Sequence, residues 1–151
     1  MISIDQILLV DDSPLDTELT LDALNTHRLA NEVVSLRDGA DALDYLYRRG
    51  AFADRPPGNP AVVLLDLKMP KVDGTEVLRQ MKSDPQLRSI PVVVMTSSRE
   101  DRDLHESYHL GANAYVVKPV NFHEFIDAVK SVGGFWAMLN MPAPASATGQ
   151  P

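Results

Sequence analysis

Three carboxylates, a hydroxyl and an ammonium stand at the ends of apolar runs in this chain. Asp66 follows Ala61-Val62-Val63-Leu64-Leu65, Asp11 and Asp12 follow Ile7-Leu8-Leu9-Val10, Thr96 follows Val92-Val93-Val94-Met95, and Lys118 follows Tyr115-Val116-Val117. Short apolar runs of this kind read as strands buried on both faces. In open α/β sheets the carboxyl ends of such strands form the edge where ligands bind, so the five groups are expected to converge. Asp11, Asp12 and Asp66 would crowd negative charge, an arrangement that costs energy unless a cation neutralises it. Hard oxygen ligands in a chain with no cysteine point to Mg2+, which takes one or two carboxylates, a phosphoryl oxygen and water. Asp66 then becomes a nucleophile that can take a phosphoryl group as an acyl phosphate. Lys118 and the metal meet the charge on the phosphoryl oxygens, and Thr96 offers them a hydroxyl donor.

The elements that must position these groups alternate. Five apolar runs are separated by helical patterns, which argues for crossover units feeding a parallel sheet between helix layers. Ser13 and Pro14 read as N-cap and first residue of a helix through Leu15, Leu19 and Leu24, ending near His27. A second strand over Asn31 to Leu36 precedes a helix capped by Asp38, with Ala42, Leu43 and Leu46 on its apolar face and Gly50 as its expected close. Pro56, Pro57 and Pro60 make Ala51 to Pro60 a long exposed connection. Capping-box spacing recurs at Asp73 and Glu76, Ser97 and Glu100, and Asn121 and Glu124, marking three further helix starts. Past Gly133 and Gly134, the pair Phe135 and Trp136 precedes a small-residue stretch from Met141 to Pro151 that suits a disordered tail.

A length of 151 residues accommodates one domain. The formal charge of −7 repels phosphate backbones, which excludes nucleic acid as an expected partner. No apolar run reaches the roughly 20 residues that span a bilayer and no basic leader precedes the first strand, so no membrane partner and a cytoplasmic location are expected.

Taken together, Asp11-Asp12, Asp66, Thr96 and Lys118-Pro119 resemble the receiver domain of two-component response regulators, as do Met69-Pro70 and Gly74 after the acceptor and Gly111-Ala112 before Tyr115. The resemblance runs over residues 5 to 135. It implies a flavodoxin-like, doubly wound α/β fold with a five-stranded parallel sheet in the order 2-1-3-4-5 and five helices, placed here as a receiver over residues 1–140 with a tail at 141–151. It implies that Asp66 accepts phosphate from a histidine of a sensor kinase, that Asp12 binds Mg2+ directly and Asp11 through water, and that Lys68 contributes its backbone carbonyl. Lys118 would pair with the phosphoryl group, and its bond to Pro119 would be cis. Thr96 would move toward the phosphate and let Tyr115 rotate inward, repacking the face of helix four, strand five and helix five. Such a protein is a signalling switch rather than an enzyme: it catalyses only its own phosphotransfer and dephosphorylation, and with no output domain expected after it, it would act through protein contacts, either with a downstream target or by returning phosphate to a histidine. The Pro-rich loop 51–60, the phrase Leu65-Asp66-Leu67-Lys68-Met69-Pro70 and the Phe135-Trp136 ending resemble, more narrowly, phytochrome-associated single-domain regulators. That implies a photoreceptor kinase as partner and self-pairing through the helix-four to helix-five face. Lys68 sits beside the acceptor where relatives tune dephosphorylation, and Ser98, two beyond Thr96, is small.

Other readings carry less. His105-Glu106-Ser107-Tyr108-His109 fits the H-E-x-x-H zinc pattern, but a third ligand is wanting at suitable spacing. Phosphohydrolases that work through an aspartyl phosphate use Asp-x-Asp, and here Lys68 replaces the second acid. A phosphate-independent, receiver-like adaptor would lack one of the acids or the lysine. Singly, Thr96 reads as a turn former, Lys118 as a surface lysine and Tyr115 as a core aromatic. Their joint placement at one sheet edge is what lifts them.

Overall fold

The computed structural model describes residues 4–26, 28–69, 71–97 and 107–131. His27, Pro70, Ser98, Glu100, His105 and Glu106, the Phe135-Trp136 pair and the tail from Met141 lie outside the described residues. Five strands, β1 (Ile4–Val10), β2 (Ala30–Leu36), β3 (Val62–Asp66), β4 (Val92–Thr96) and β5 (Ala114–Val117), form one sheet in the order β2-β1-β3-β4-β5. Every pairing is parallel. Helices α1 (Pro14–Thr26), α2 (Gly39–Tyr47), α3 (Gly74–Ser83), the helical residues 107–109 (α4) and α5 (Phe122–Lys130) connect them. This is the flavodoxin-like topology that the resemblance implies.

Alternation along the strands builds two cores. Ile7, Leu9, Val62, Leu64, Val93 and Met95 face one way and meet Leu24 of α1 and Phe125, Ile126 and Val129 of α5. Leu8, Val10, Val63, Leu65, Val92 and Val94 face the other and meet Leu43 and Leu46 of α2 and Val77, Leu78 and Met81 of α3. Each fully buried aliphatic side chain contributes about 1.5–3 kcal/mol of transfer free energy, and every residue of β3 and β4 is buried. The central strands are therefore rigid rods whose carboxyl ends cannot wander. β5, at the sheet edge, alternates buried and half-buried residues instead.

The helix starts expected at Asp73 and Asn121 are present, while the one expected at Ser97 and Glu100 runs into residues outside those described. Asp73 Oδ1 accepts from Glu76 N at 3.2 Å, and Asn121 Oδ1 accepts from His123 N and Glu124 N at 2.8 and 3.2 Å. Glu76 does not reach back to its cap; its carboxylate takes Arg79 and Gln80 instead. α2 closes before Gly50: Arg48 adopts the left-handed conformation (φ 56°) and donates its backbone N–H to the Asp44 and Tyr45 carbonyls. Its guanidinium binds the Arg55 carbonyl, which holds a residue with a Cβ where glycine is usual. Gly50 opens a 3₁₀ turn, Gly50–Phe52, in the connection read as a plain exposed loop. Arg55 organises that connection by donating to the carbonyls of Tyr45, Pro56 and Gly58 at 2.6, 3.0 and 2.9 Å while lying over the Tyr45 ring.

Gly74 is where α3 meets the acceptor strand. Its N–H donates to Leu67 O at 2.8 Å, and a Cβ placed there would lie 2.0 Å from Asp66 O. Only glycine lets the helix start press this closely on the Asp66 backbone. Lys71, at φ 63°, pairs with the α2 cap Asp38 at 3.3 Å and so ties the β3–α3 connection to the start of α2.

Candidate functional site

The strand register brings the groups together. Val10 pairs with Leu65, Asp66 with Met95, and Thr96 with Val117, so Asp11, Asp66, Thr96 and Lys118 fall at or one residue beyond neighbouring strand ends. Lys118 Nζ lies 3.0 Å from Asp11 Oδ2 and 3.2 Å from Asp66 Oδ2. Its backbone N–H donates to Thr96 O at 2.8 Å, closing the edge between β4 and β5. The Lys118-Pro119 peptide is cis.

Asp11 is fully buried. Its Oδ1 accepts from Ser13 N at 3.0 Å, which shapes the turn into α1, while Ser13 Oγ caps the helix through Asp16 N at 3.2 Å. Asp11 Oδ2 has no aligned hydrogen bond, only the ion pair with Lys118. A buried carboxylate oxygen held by charge alone retains acceptor capacity. Asp12 is exposed beside it, and one oxygen each of Asp11, Asp12 and Asp66 lie within 4.8 Å of one another. This donor set of hard oxygens fits a divalent cation of the Mg2+ type.

Asp66 accepts from Lys68 N at 3.3 Å. Burial and the Asp11 charge outweigh Lys118 and push its carboxyl up to about 6. Burial opposes the charge on Lys118, yet Asp11, Asp66 and Asp16 together hold the ammonium above its ordinary range. The lysine is therefore charged at any physiological pH, and Asp66 can be a nucleophile only where it is ionised.

A cleft of about 210 Å³ opens in front of Asp66, lined by Asp16, Lys68, Thr96, Ser97 and Lys118 among others. Lys68 is exposed at its mouth and Thr96 is buried. Tyr115 is half-buried and meets Tyr108 edge-on, with ring centroids 5.9 Å apart. Asp11, Asp12, Asp66, Lys68, Thr96 and Lys118 thus lie at one sheet edge, and Tyr115 lies further back along β5, opposite Val94. His109 of the H-E-x-x-H stretch is exposed. Asp16 is the residue that the sequence reading missed: its Oδ2 accepts from Lys118 Nζ at 3.1 Å. An acid in a first helical turn reads as a dipole complement. The available signal was that α1 starts three residues beyond Asp11, which turns its first loop back over the sheet edge.

The chain matches the response regulator receiver domain family over residues 7–130. It is 40% identical over 138 residues to the response regulator Rcp1 of Synechocystis sp. (strain ATCC 27184 / PCC 6803 / Kazusa), covering 91% of this chain and 92% of that protein. Among solved structures it is similar to the bacteriophytochrome response regulator AtBRR, at 59% identity and TM-score 0.83, covering 91% of this chain and 99% of that one. The Mn2+-bound form of Rcp1 superposes with TM-score 0.71 at 38% identity, covering 93% and 99% of the two chains. The phosphorylated cyanobacterial phytochrome response regulator RcpA does so with TM-score 0.72 at 39% identity, covering 91% and 99%. No helix among the described residues is long and apolar enough to cross a membrane.

Proposed function

This chain belongs to the response regulator receiver family, related to phytochrome response regulators, and on that premise we propose that Asp66 accepts a phosphoryl group from a histidine of a phytochrome-type sensor kinase. The observation that carries the reading is the Lys118 ammonium held 3.2 Å from the Asp66 carboxylate, beside the buried Asp11, at the mouth of an open cleft. In the step, an Asp66 oxygen attacks phosphorus. The O–P bond forms, the P–N bond to the histidine breaks, and the imidazole leaves with the electron pair. Lys118 meets the charge on the phosphoryl oxygens and Thr96 supplies a hydroxyl donor. Asp12 directly, Asp11 through water, Asp66, and the Lys68 carbonyl would hold Mg2+, which supplies charge neutralisation at the phosphoryl oxygens. Hydrolysis of the acyl phosphate returns the carboxylate, so the chemistry is confined to the protein's own modification. Labelling by acetyl phosphate with Mg2+, mapped to the Asp66 peptide, tests the reading directly.

Metal binding should depend on pH. Protons compete with the ion for Asp66 up to the raised value of about 6 rather than the ordinary 3.8. Mg2+ affinity falls on the order of tenfold per pH unit below that point. Calorimetric titration at about pH 7.5 and about pH 5 reads the difference; equal affinities would remove Asp66 from the ligand set.

The output is a change of protein contacts. Thr96 drawn toward the phosphoryl group vacates space for Tyr115, which now meets Tyr108 at the surface beside α5. Rotation of Tyr115 repacks the α4-β5-α5 face, through which the chain pairs with itself and meets a downstream protein. Light scattering should report a larger mass with beryllofluoride and Mg2+ than without; an unchanged mass would restrict the face to other partners. The receiver unit is assigned to residues 1–140, with a tail at 141–151 and a cytoplasmic location.

A further inference from the structure

Lys118 is claimed by three carboxylates, one more than a metal-and-acceptor site requires: Asp11 at 3.0 Å, Asp16 at 3.1 Å and Asp66 at 3.2 Å. We infer that Asp16 is a positioning residue that holds the Lys118 ammonium in the resting state and thereby sets the rate at which Asp66 is phosphorylated. The inference rests on the phosphoacceptor reading of Asp66.

Asp16 stands in the first turn of α1, on a different element from the strand ends, and it lines the cleft in front of Asp66. Its carboxylate occupies a donor direction of an ammonium that has only three N–H groups, so Lys118 must loosen from Asp16 before it turns fully onto a phosphoryl oxygen. Asp11 cannot serve as such a brake, since it is buried and needed where it is. Asp16 is more than a third exposed as a side chain and can be exchanged with water. Asp16 is not one of the acids, Asp11, Asp12 and Asp66, whose oxygens cluster within 4.8 Å, which separates its role from metal binding.

The test uses acetyl phosphate as donor at saturating Mg2+. An Asp66 oxygen attacks phosphorus and acetate leaves with the electrons of the broken P–O bond. Asp16→Asn keeps the shape and removes the charge. Its labelling rate should rise roughly 3- to 10-fold over the unaltered chain, and Asp16→Glu, which restores the charge, should return toward the original rate. In the Lys118→Ala background the Asp16→Asn change should have little effect, because a residue acting through Lys118 loses its influence when the ammonium is gone. An unaltered rate in Asp16→Asn, or the same acceleration with and without Lys118, would overturn the inference. Failure of the unaltered chain itself to take label, with intact circular dichroism, would instead sink the phosphoacceptor reading and this one with it.

Discussion

The Asp66→Asn protein takes no phosphoryl label from acetyl phosphate or from a cognate kinase, and in the absence of divalent metal it is more stable than the unaltered chain at neutral pH. The first half follows from chemistry: an amide has no anionic oxygen to attack phosphorus, and of the two carboxylates that line the cleft beside Lys118 Nζ, Asp66 at 3.2 Å and Asp16 at 3.1 Å, Asp66 is the one that belongs to the acid group able to hold the metal. The second half follows from the environment of Asp66. Burial and Asp11 raise its carboxyl from 3.8 to about 6 against the pull of Lys118. The folded chain therefore binds more protons than the unfolded one between those values, and stability falls as pH rises through the window. At neutral pH the ionised carboxylate opposes folding. Removing its charge gains about 2–3 kcal/mol, the attraction to Lys118 being already counted in that raised value. Denaturant midpoints in chelator at about pH 7.5 and about pH 4 measure it: the variant's advantage should be present at the first and vanish at the second. Label that persists in the variant would move the phosphoacceptor to another residue.

Much of this was legible from residues alone because the site sits where strand periodicity ends. The apolar runs name the strands, parallel pairing puts their carboxyl ends together, and polar residues immediately after Val10, Leu65, Met95 and Val117 then have one place to be. What was not legible depends on side chains acting away from their own element. Asp16 reads as an ordinary first-turn acid, and only the three-dimensional return of α1 over the sheet shows it on Lys118. Gly50 reads as the close of α2. Arg48 takes that role because Arg55 supplies it a carbonyl across a loop, a contact that local propensity does not encode. The proline-rich stretch 51–60 reads as open connection, whereas the Arg55 guanidinium gathers the Pro56 and Gly58 carbonyls and ties them to Tyr45 O of α2. Gly74 could be placed near the acceptor by sequence, but not the reason for it, which is the approach of the Asp66 carbonyl to 2.0 Å from where a Cβ would stand.

Lys118→Ala should leave Asp66 open to phosphorylation, slow and poorly coupled to Tyr115, and should lower stability at neutral pH by about 3 kcal/mol in the absence of metal. Breaking a buried ion pair by deleting one partner costs more than the pair is worth, typically 3–5 kcal/mol, because the surviving charge is left in a poor solvent. The surviving charges here are a fully buried Asp11, an Asp66 side chain 13% exposed and a more open Asp16 at 36%, so the lower end of that range applies. Two agents should restore the loss. Mg2+ replaces the missing positive charge beside Asp11 and Asp66, and stabilises further as its concentration exceeds its dissociation constant. Acid neutralises Asp66, whose carboxyl rises beyond about 6 once the ammonium no longer opposes burial. The Asp66 share of the deficit is then full above the variant's raised value, shrinks as pH falls from there, and is gone by about 6, where the unaltered chain protonates Asp66 as well. Denaturant midpoints of both proteins, in chelator and in excess Mg2+, across the acid range give the comparison. The Tyr115 resonances on adding beryllofluoride give the coupling, which should be smaller in the variant. Equal midpoints in chelator at neutral pH would mean that the carboxylates at the sheet edge find water or one another without the lysine, and the charge balance argued for the resting site would fail with them.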